Sequence, residues 1–213
     1  MFVGHFAAGI AAKALEPRVP LWALLGASQL IDFGWAGLVI AGVEKLRIDP
    51  SLPGSVLDLH YMPFTHSLPA VLVWALAAGF LARTVLPARA ALVVALVVLS
   101  HWLLDFIVHR PDLPLGLLAP KVGLGLWNWP VPEMALEIGL LGLATGLLTA
   151  RSQRAWPALA LLAALTGLQM MAALLPPPAG SAEVATSALL AFLVVMALGW
   201  GAERLSGGAG RQR

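Results

Sequence analysis

The chain is 213 residues long, 60% hydrophobic and only 11% charged, with a mean hydropathy of +0.87. A soluble domain carries about 25% charged residues, so this composition excludes an ordinary water-soluble fold and specifies an integral membrane protein. The absence of cysteine removes disulfides, thiolate metal sites and thiol nucleophiles, and a net charge of +2 with scattered basic residues provides no stripe for nucleic acid.

A bilayer crossing takes about 20 apolar residues, and breaks fall at charged or proline-rich points. The expected helices cover 2–15, 20–43, 66–86, 88–108, 133–150, 155–175 and 183–201. This is an all-α integral membrane protein: a bundle of six to seven transmembrane helices in one domain over residues 1–205. The first segment, MFVGHFAAGIAAKAL, is read as a retained helix, short enough to be a half-helix or a re-entrant element. Its His5, between Gly4 and Gly9, lies on a face that small residues allow to pack closely.

The second helix carries Gln29 and Asp32 in QLID. A charge inside an apolar helix costs about 2.5 to 3.5 kcal/mol on insertion scales, which makes Asp32 a functional hypothesis once a partner exists. Residues 44–65 form a polar loop with Asp58 and His60. In PFTHSL, residues 63–68, Pro63 fixes the entry, Thr65 is placed to cap the next helix and His66 stands in its first turn. LSHWLLDFIVHR, residues 99–110, sets His101 and Asp105 four apart on one helix face, and His109 continues that spacing toward a rim position.

The segment 110–132 is too broken by proline and glycine to span a membrane and too apolar for a solvated loop. With Trp127 and Trp129 suited to the headgroup region, it reads as an interfacial lid or a re-entrant connector. Glu133 and Glu137 then share one face at the start of the fifth helix. Acidic residues favour a first turn, which accounts for Glu133, while the deeper Glu137 is a candidate general base. The Gly/Arg tail, 206–213, is expected to be disordered.

With seven alternating crossings, nine of the thirteen basic residues fall on one side: Lys13, Arg18, Arg83, Arg89, Arg151, Arg154, Arg204, Arg211 and Arg213. The positive-inside rule makes that side, with the C-terminus, cytoplasmic and places both long loops outside. All five histidines, with Asp32, Asp105 and the two glutamates, then converge between mid-membrane and the outer face. The set His5, Asp32, His66, His101 and Asp105 offers three imidazoles and two carboxylates from four helices. That inventory suits a divalent metal, Zn²⁺ above all, in a mononuclear site with an outer-shell carboxylate or in a compact dinuclear one. Gln29, His60, His109 and Glu133 form a second tier around it.

Gly-His near the start, an Asp in the second helix, Thr65-His66-Ser67-Leu68 opening the next long helix, and Ser100-His101 with Asp105 together resemble the bacterial membrane-bound, metal-dependent hydrolase family. The resemblance covers residues 1–110. It implies an inner-membrane location and metal ligation by His5, Asp32, His66, His101 and Asp105. The chain departs from the family where Ser28-Gln29 stands for its Pro-Asp and where His60 is followed by Tyr61-Met62-Pro63 rather than Arg-Gly, so it reads as a divergent member.

The function expected is metal-dependent hydrolysis of a phosphoester or ester of a lipid-like or small-molecule substrate at the outer leaflet, with Asp105 or Glu137 as base and membrane lipids as surroundings. The competing readings are a metal-ion or proton transporter, since intramembrane His and Asp also line ion paths, and a structural bundle held by the cluster. A conduit needs polar residues in both halves of the membrane, and the inner halves of these helices are almost purely apolar.

Overall fold

A computed structural model describes residues 1–116 and 120–207. The chain opens with a 3₁₀ turn, Val3–His5, that runs into α1 (Phe6–Leu15). Next come α2 (Leu21–Ser28) and α3 (Leu30–Ile40), a hairpin of β1 (Lys45–Ile48) and β2 (Leu57–Tyr61), and then α4 (Leu68–Arg83) and α5 (Ala88–Val108). A minimal second hairpin, β3 (Leu113–Pro114) with β4 (Lys121–Val122), and a 3₁₀ turn at Leu126–Asn128 lead to α6 (Pro130–Thr149), α7 (Trp156–Leu174) and α8 (Ser181–Leu205). Both hairpins are antiparallel. Of the expected tail, Ser206 and Gly207 close the last turn of α8, and 208–213 lie outside the described residues.

The protein is mostly helical, and α5, α6, α7 and α8 are each long and apolar enough to cross a membrane. The expected single helix over 20–43 is two helices that meet at Gln29 with a 54° bend, and together they make a fifth candidate span. Local competition for backbone groups accompanies the break. Ser28 Oγ donates back to the Leu25 carbonyl at 2.8 Å, and His101 takes the Ser28 carbonyl through its side chain. The segments Val3–Leu15 and α4 are apolar but shorter.

The short α1 is the hub, buried on most of its surface and packed against α2, α5 and α6. Gly9 lets it approach α2 closely, because a Cβ there would stand 2.7 Å from the Leu24 carbonyl oxygen. In contrast, α4 packs chiefly on α5 and turns Val73, Leu76 and Phe80 outward. Large exposed apolar side chains of this kind are the lipid-facing surface expected of a membrane bundle.

Two expectations need correction here. The polar loop 44–65 holds a β-hairpin, with Leu46 and Leu59 buried on one face of its short strands. The third helix begins at Leu68 rather than at 66, and its N-cap is Ser67, whose Oγ accepts from the Ala70 N–H at 3.3 Å. Thr65 therefore does not cap it. Pro69 in the first turn fixes this start, since proline is tolerated there and nowhere deeper in a helix.

Candidate metal centre

The ends of the elements bring the polar side chains together. The break at Gln29 turns Asp32 from a mid-helix residue into a first-turn residue of α3, where a carboxylate is favoured by the exposed N–H groups. His66 sits in the tight turn before α4, with its N–H on the Met62 carbonyl at 3.1 Å and its carbonyl accepting from Trp102 Nε1 at 3.1 Å. On α5, His101 and Asp105 share the inward face, and His109 caps that helix C-terminally on the same line. His5 ends the first 3₁₀ turn, which Glu137 of α6 clasps by accepting the N–H groups of Phe2 at 3.0 Å and Gly4 at 2.7 Å.

Asp105 stands at the middle of the cluster. Its Oδ2 lies 3.1 Å from His101 Nε2 and 3.6 Å from His66 Nε2. Its Oδ1 lies 3.0 Å from His5 Nε2, 3.4 Å from His109 Nε2 and 3.2 Å from the amino nitrogen of Met1. Asp32 Oδ1 closes the other side, 3.3 Å from His66 Nε2 and 3.5 Å from His101 Nε2. The His5 and His101 rings stack in parallel, with centroids 3.7 Å apart. Asp32, with 17% of its side chain exposed, is the least buried of these groups, while the others show at most 4%.

The outward nitrogens explain what faces inward. His101 Nδ1–H donates to the Ser28 carbonyl at 2.9 Å, and His109 Nδ1–H donates to Asp112 Oδ1 at 2.8 Å. Thr65 Oγ1 donates to Glu44 Oε2 at 2.6 Å, so its oxygen is left to accept the His66 Nδ1–H at 2.8 Å. Buried Glu44 completes this support by accepting the Phe64 and Thr65 N–H groups at 2.7 and 3.0 Å. Three imidazoles thus hold Nδ1 on an outward partner and aim Nε2 at a carboxylate. A buried lone pair facing a carboxylate is unfavourable unless a cation or proton lies between them. His101 Nε2 and Asp105 Oδ2 indeed lack a hydrogen-bond partner among the described residues, as does His5 Nδ1.

The spacing suits a metal ion. Zinc bonds of about 2.0–2.2 Å at tetrahedral angles hold donors about 3.3–3.6 Å apart. The four nitrogen-to-oxygen separations between the His66/His101 pair and the Asp32/Asp105 pair are 3.3, 3.6, 3.5 and 3.1 Å. Two overlapping groups can each surround one ion, namely His5, His101 and Asp105, and Asp32, His66 and His101. The residues present therefore fit a divalent cation, and imidazole with carboxylate is a donor set that suits Zn²⁺.

The second-tier residues divide. His109, expected at the rim, is buried at 2% exposure and joins the cluster, because α5 ends one residue before it and the chain folds back over it. Gln29 Nε2 donates to the Phe2 carbonyl at 3.2 Å and so helps hold the first turn. His60 stays on β2, half-exposed, with its Nδ1 4.0 Å from Asp58 Oδ2. Glu133 lies half-buried in the first turn of α6. Glu137, expected as a base, has both oxygens engaged with backbone N–H groups, which gives it the task of setting the turn that carries His5. Sequence reasoning missed Glu44 and Asp112, although the Thr65-His66 adjacency and the 109–112 spacing were available signals.

The two hairpins cover this end of the bundle. Arg110 ties them together by donating to the carbonyls of Pro53 at 2.6 Å and Ser55 at 2.7 Å and to Asn128 Oδ1 at 2.8 Å. Gly123, at φ +153°, carries the second hairpin so close to the end of α5 that a Cβ would collide with the His109 and Arg110 carbonyls. The Leu124 N–H then reaches the Phe106 carbonyl at 2.8 Å, and Trp127 lies over His109 with ring centroids 4.2 Å apart. Trp129 beside it is 66% exposed. No family model, curated protein or solved structure matches the chain.

Proposed function

We propose that the chain is a membrane-embedded, metal-dependent hydrolase acting on an ester or phosphoester of a lipid-like substrate, and a divergent member of the family its motifs resemble. The observation that carries this is the set of anchored imidazoles whose Nε2 atoms face Asp32 and Asp105 in a buried cluster. Asp32, His66, His101 and Asp105 Oδ2 would hold the ion, with water as a fifth ligand on the side of the partly exposed Asp32, and Ser28, Thr65 and Glu44 keep the two imidazoles in the ligating tautomer. A bound Zn²⁺ supplies Lewis acidity toward the scissile group and acidifies water. The substrate reaches the centre past Asp32, the partly exposed carboxylate, which takes a proton there. The buried Oδ2 of Asp105 serves as a ligand.

The depth of the site supports a lipid substrate. His5 and Leu15 are ten residues apart on a helical path, about 15 Å at 1.5 Å per residue, half of a roughly 30 Å hydrocarbon core. Basic residues concentrated at the Lys13 end orient that end to the cytoplasm of a bacterial inner membrane, and the centre opens toward the outer side.

The test is metal analysis of the detergent-purified protein beside His101→Ala, with hydrolysis of phospholipid and fatty-ester micelles followed in parallel. The wild type is expected to carry metal and hydrolyse, and to stop after chelation and recover on Zn²⁺ addition. The variant is expected to lose both properties. Full metal content in His101→Ala would sink the ligand assignment, and metal without any hydrolysis would sink the enzymatic one.

A further inference from the structure

The two oxygens of Asp105 face different partners, and the proposed centre uses only one of them. Oδ2 belongs with His66 and His101, whereas Oδ1 has His5 Nε2 at 3.0 Å and His109 Nε2 at 3.4 Å. The His109 separation falls in the range of donors that share one ion of about 2.0–2.2 Å bond length, and His5 Nε2 stands closer, at hydrogen-bond distance. His109 is built as a ligand is built: its Nδ1–H is held by Asp112, its ring is covered by Trp127, and its Nε2 is directed inward. Nothing in the single-ion site explains why this buried histidine is oriented with a carboxylate behind it. We infer that Asp105 bridges two cation positions, the second held by Asp105 Oδ1, His5 and His109, with water completing its shell.

Two ions joined by one carboxylate form a clamp on the two oxygens that exchange in ester or phosphoester cleavage, which is the use such pairs have in hydrolysis. Each position keeps its own imidazoles, so the two can be emptied separately. This rests on the metal-centre reading above. The other cationic group at Oδ1 is the amino nitrogen of Met1, at 3.2 Å, which is the competing partner of that oxygen.

The test is Zn²⁺ equilibrium dialysis of the full chain in detergent, read by elemental mass spectrometry, with the Mn²⁺-loaded protein read by electron paramagnetic resonance. The wild type should hold two equivalents and show an exchange-coupled Mn²⁺ pair. His109→Ala should hold one, with the coupling gone, and Asp32→Ala should also hold one. Asp112→Asn, milder and remote from the ions, should weaken the second equivalent about 10- to 100-fold, the usual cost of losing such support. One equivalent in both wild type and His109→Ala, with an isolated Mn²⁺ spectrum, would overturn the second position, give Oδ1 to the Met1 amine and leave the single-ion hydrolase standing. No bound metal in the wild type would instead bring down the metal reading itself. Should His109→Ala fail to fold, the wild-type stoichiometry and spectrum decide alone.

Discussion

Both ends of the bundle bury charge, and they do so in opposite ways. At the basic end Lys13, 5% exposed, gives its ammonium three acceptors: the carbonyls of Pro17 at 2.7 Å and Val19 at 2.9 Å and Glu203 Oε1 at 2.5 Å. Glu203 Oε2 accepts the Leu21 N–H at 2.8 Å, and buried Glu16 takes two bonds from Arg18. Donors there meet acceptors, and the result is a staple between α1, the start of α2 and α8. At the other end, imidazole Nε2 atoms and the Met1 amine crowd two carboxylates, and His101 Nε2 and Asp105 Oδ2 lack hydrogen-bond partners among the described residues. A self-satisfied ionic cluster holds a fold together. An unsatisfied one in which His66, His101 and His109 are each held from behind is a place for a ligand.

The sharpest way to break this comparison is Asp105→Ala, expected to abolish metal binding and hydrolysis together while the detergent-solubilised fold survives, as checked by elemental analysis and size exclusion. Retained metal would show that Asp105 is not a ligand. The mirror experiment is Lys13→Met. Leaving the partly buried Glu203 without its cation should cost about 1–3 kcal/mol of stability, with metal content untouched. A thermal-melt series that includes the Lys13→Met/Glu203→Gln double variant should show part of that loss recovered.

Thr65→Val and Glu44→Gln are expected to weaken Zn²⁺ binding about 10- to 100-fold in competition with a chelator dye, because His66 loses the partner that fixes its tautomer. Equal affinity in the variants would mean that His66 is not a ligand. Glu137→Gln should cost about 1.5–3 kcal/mol, since two backbone N–H groups lose a charged acceptor, and it should disturb the first turn more than the reaction.

The smallest effect belongs to the basic end in acid. The bonds from Arg18 hold the Glu16 carboxyl below its ordinary value of 4.5. A carboxylate depressed on folding contributes stability that is present above its unfolded pKa and is lost as pH falls through its folded value. Melting temperature should therefore drop below about pH 4.5 with a slope that Glu16→Gln reduces. An unchanged slope would show that this contact carries no linkage.

The helices were legible because apolar runs of membrane length leave no other way to satisfy the backbone: α5, α7 and α8 lie within a few residues of their expected bounds. The ligand candidates were legible for the complementary reason, that an Asp or His inside such a run is costly and needs a partner. Hidden from view were the break at Gln29, the Ser67 cap and the β-hairpins, since each depends on competition among local hydrogen bonds that apolar periodicity does not register.

The assignment of roles was further out of reach. The spacing of His101, Asp105 and His109 put all three on one helix face, but only the return of residues 124–127 over the end of α5 buried the third of them. Composition and sequence pattern by themselves determined that this is a helical membrane protein and which residues are too expensive to be incidental. The tertiary structure alone decided which carboxylate oxygen faces which imidazole, that Glu137 holds a backbone turn, and that Glu44 and Asp112 stand behind His66 and His109. Orientation at that scale is set by contacts between residues as far apart as Phe2 and Glu137, and no local pattern in a chain encodes a hydrogen bond across 135 positions.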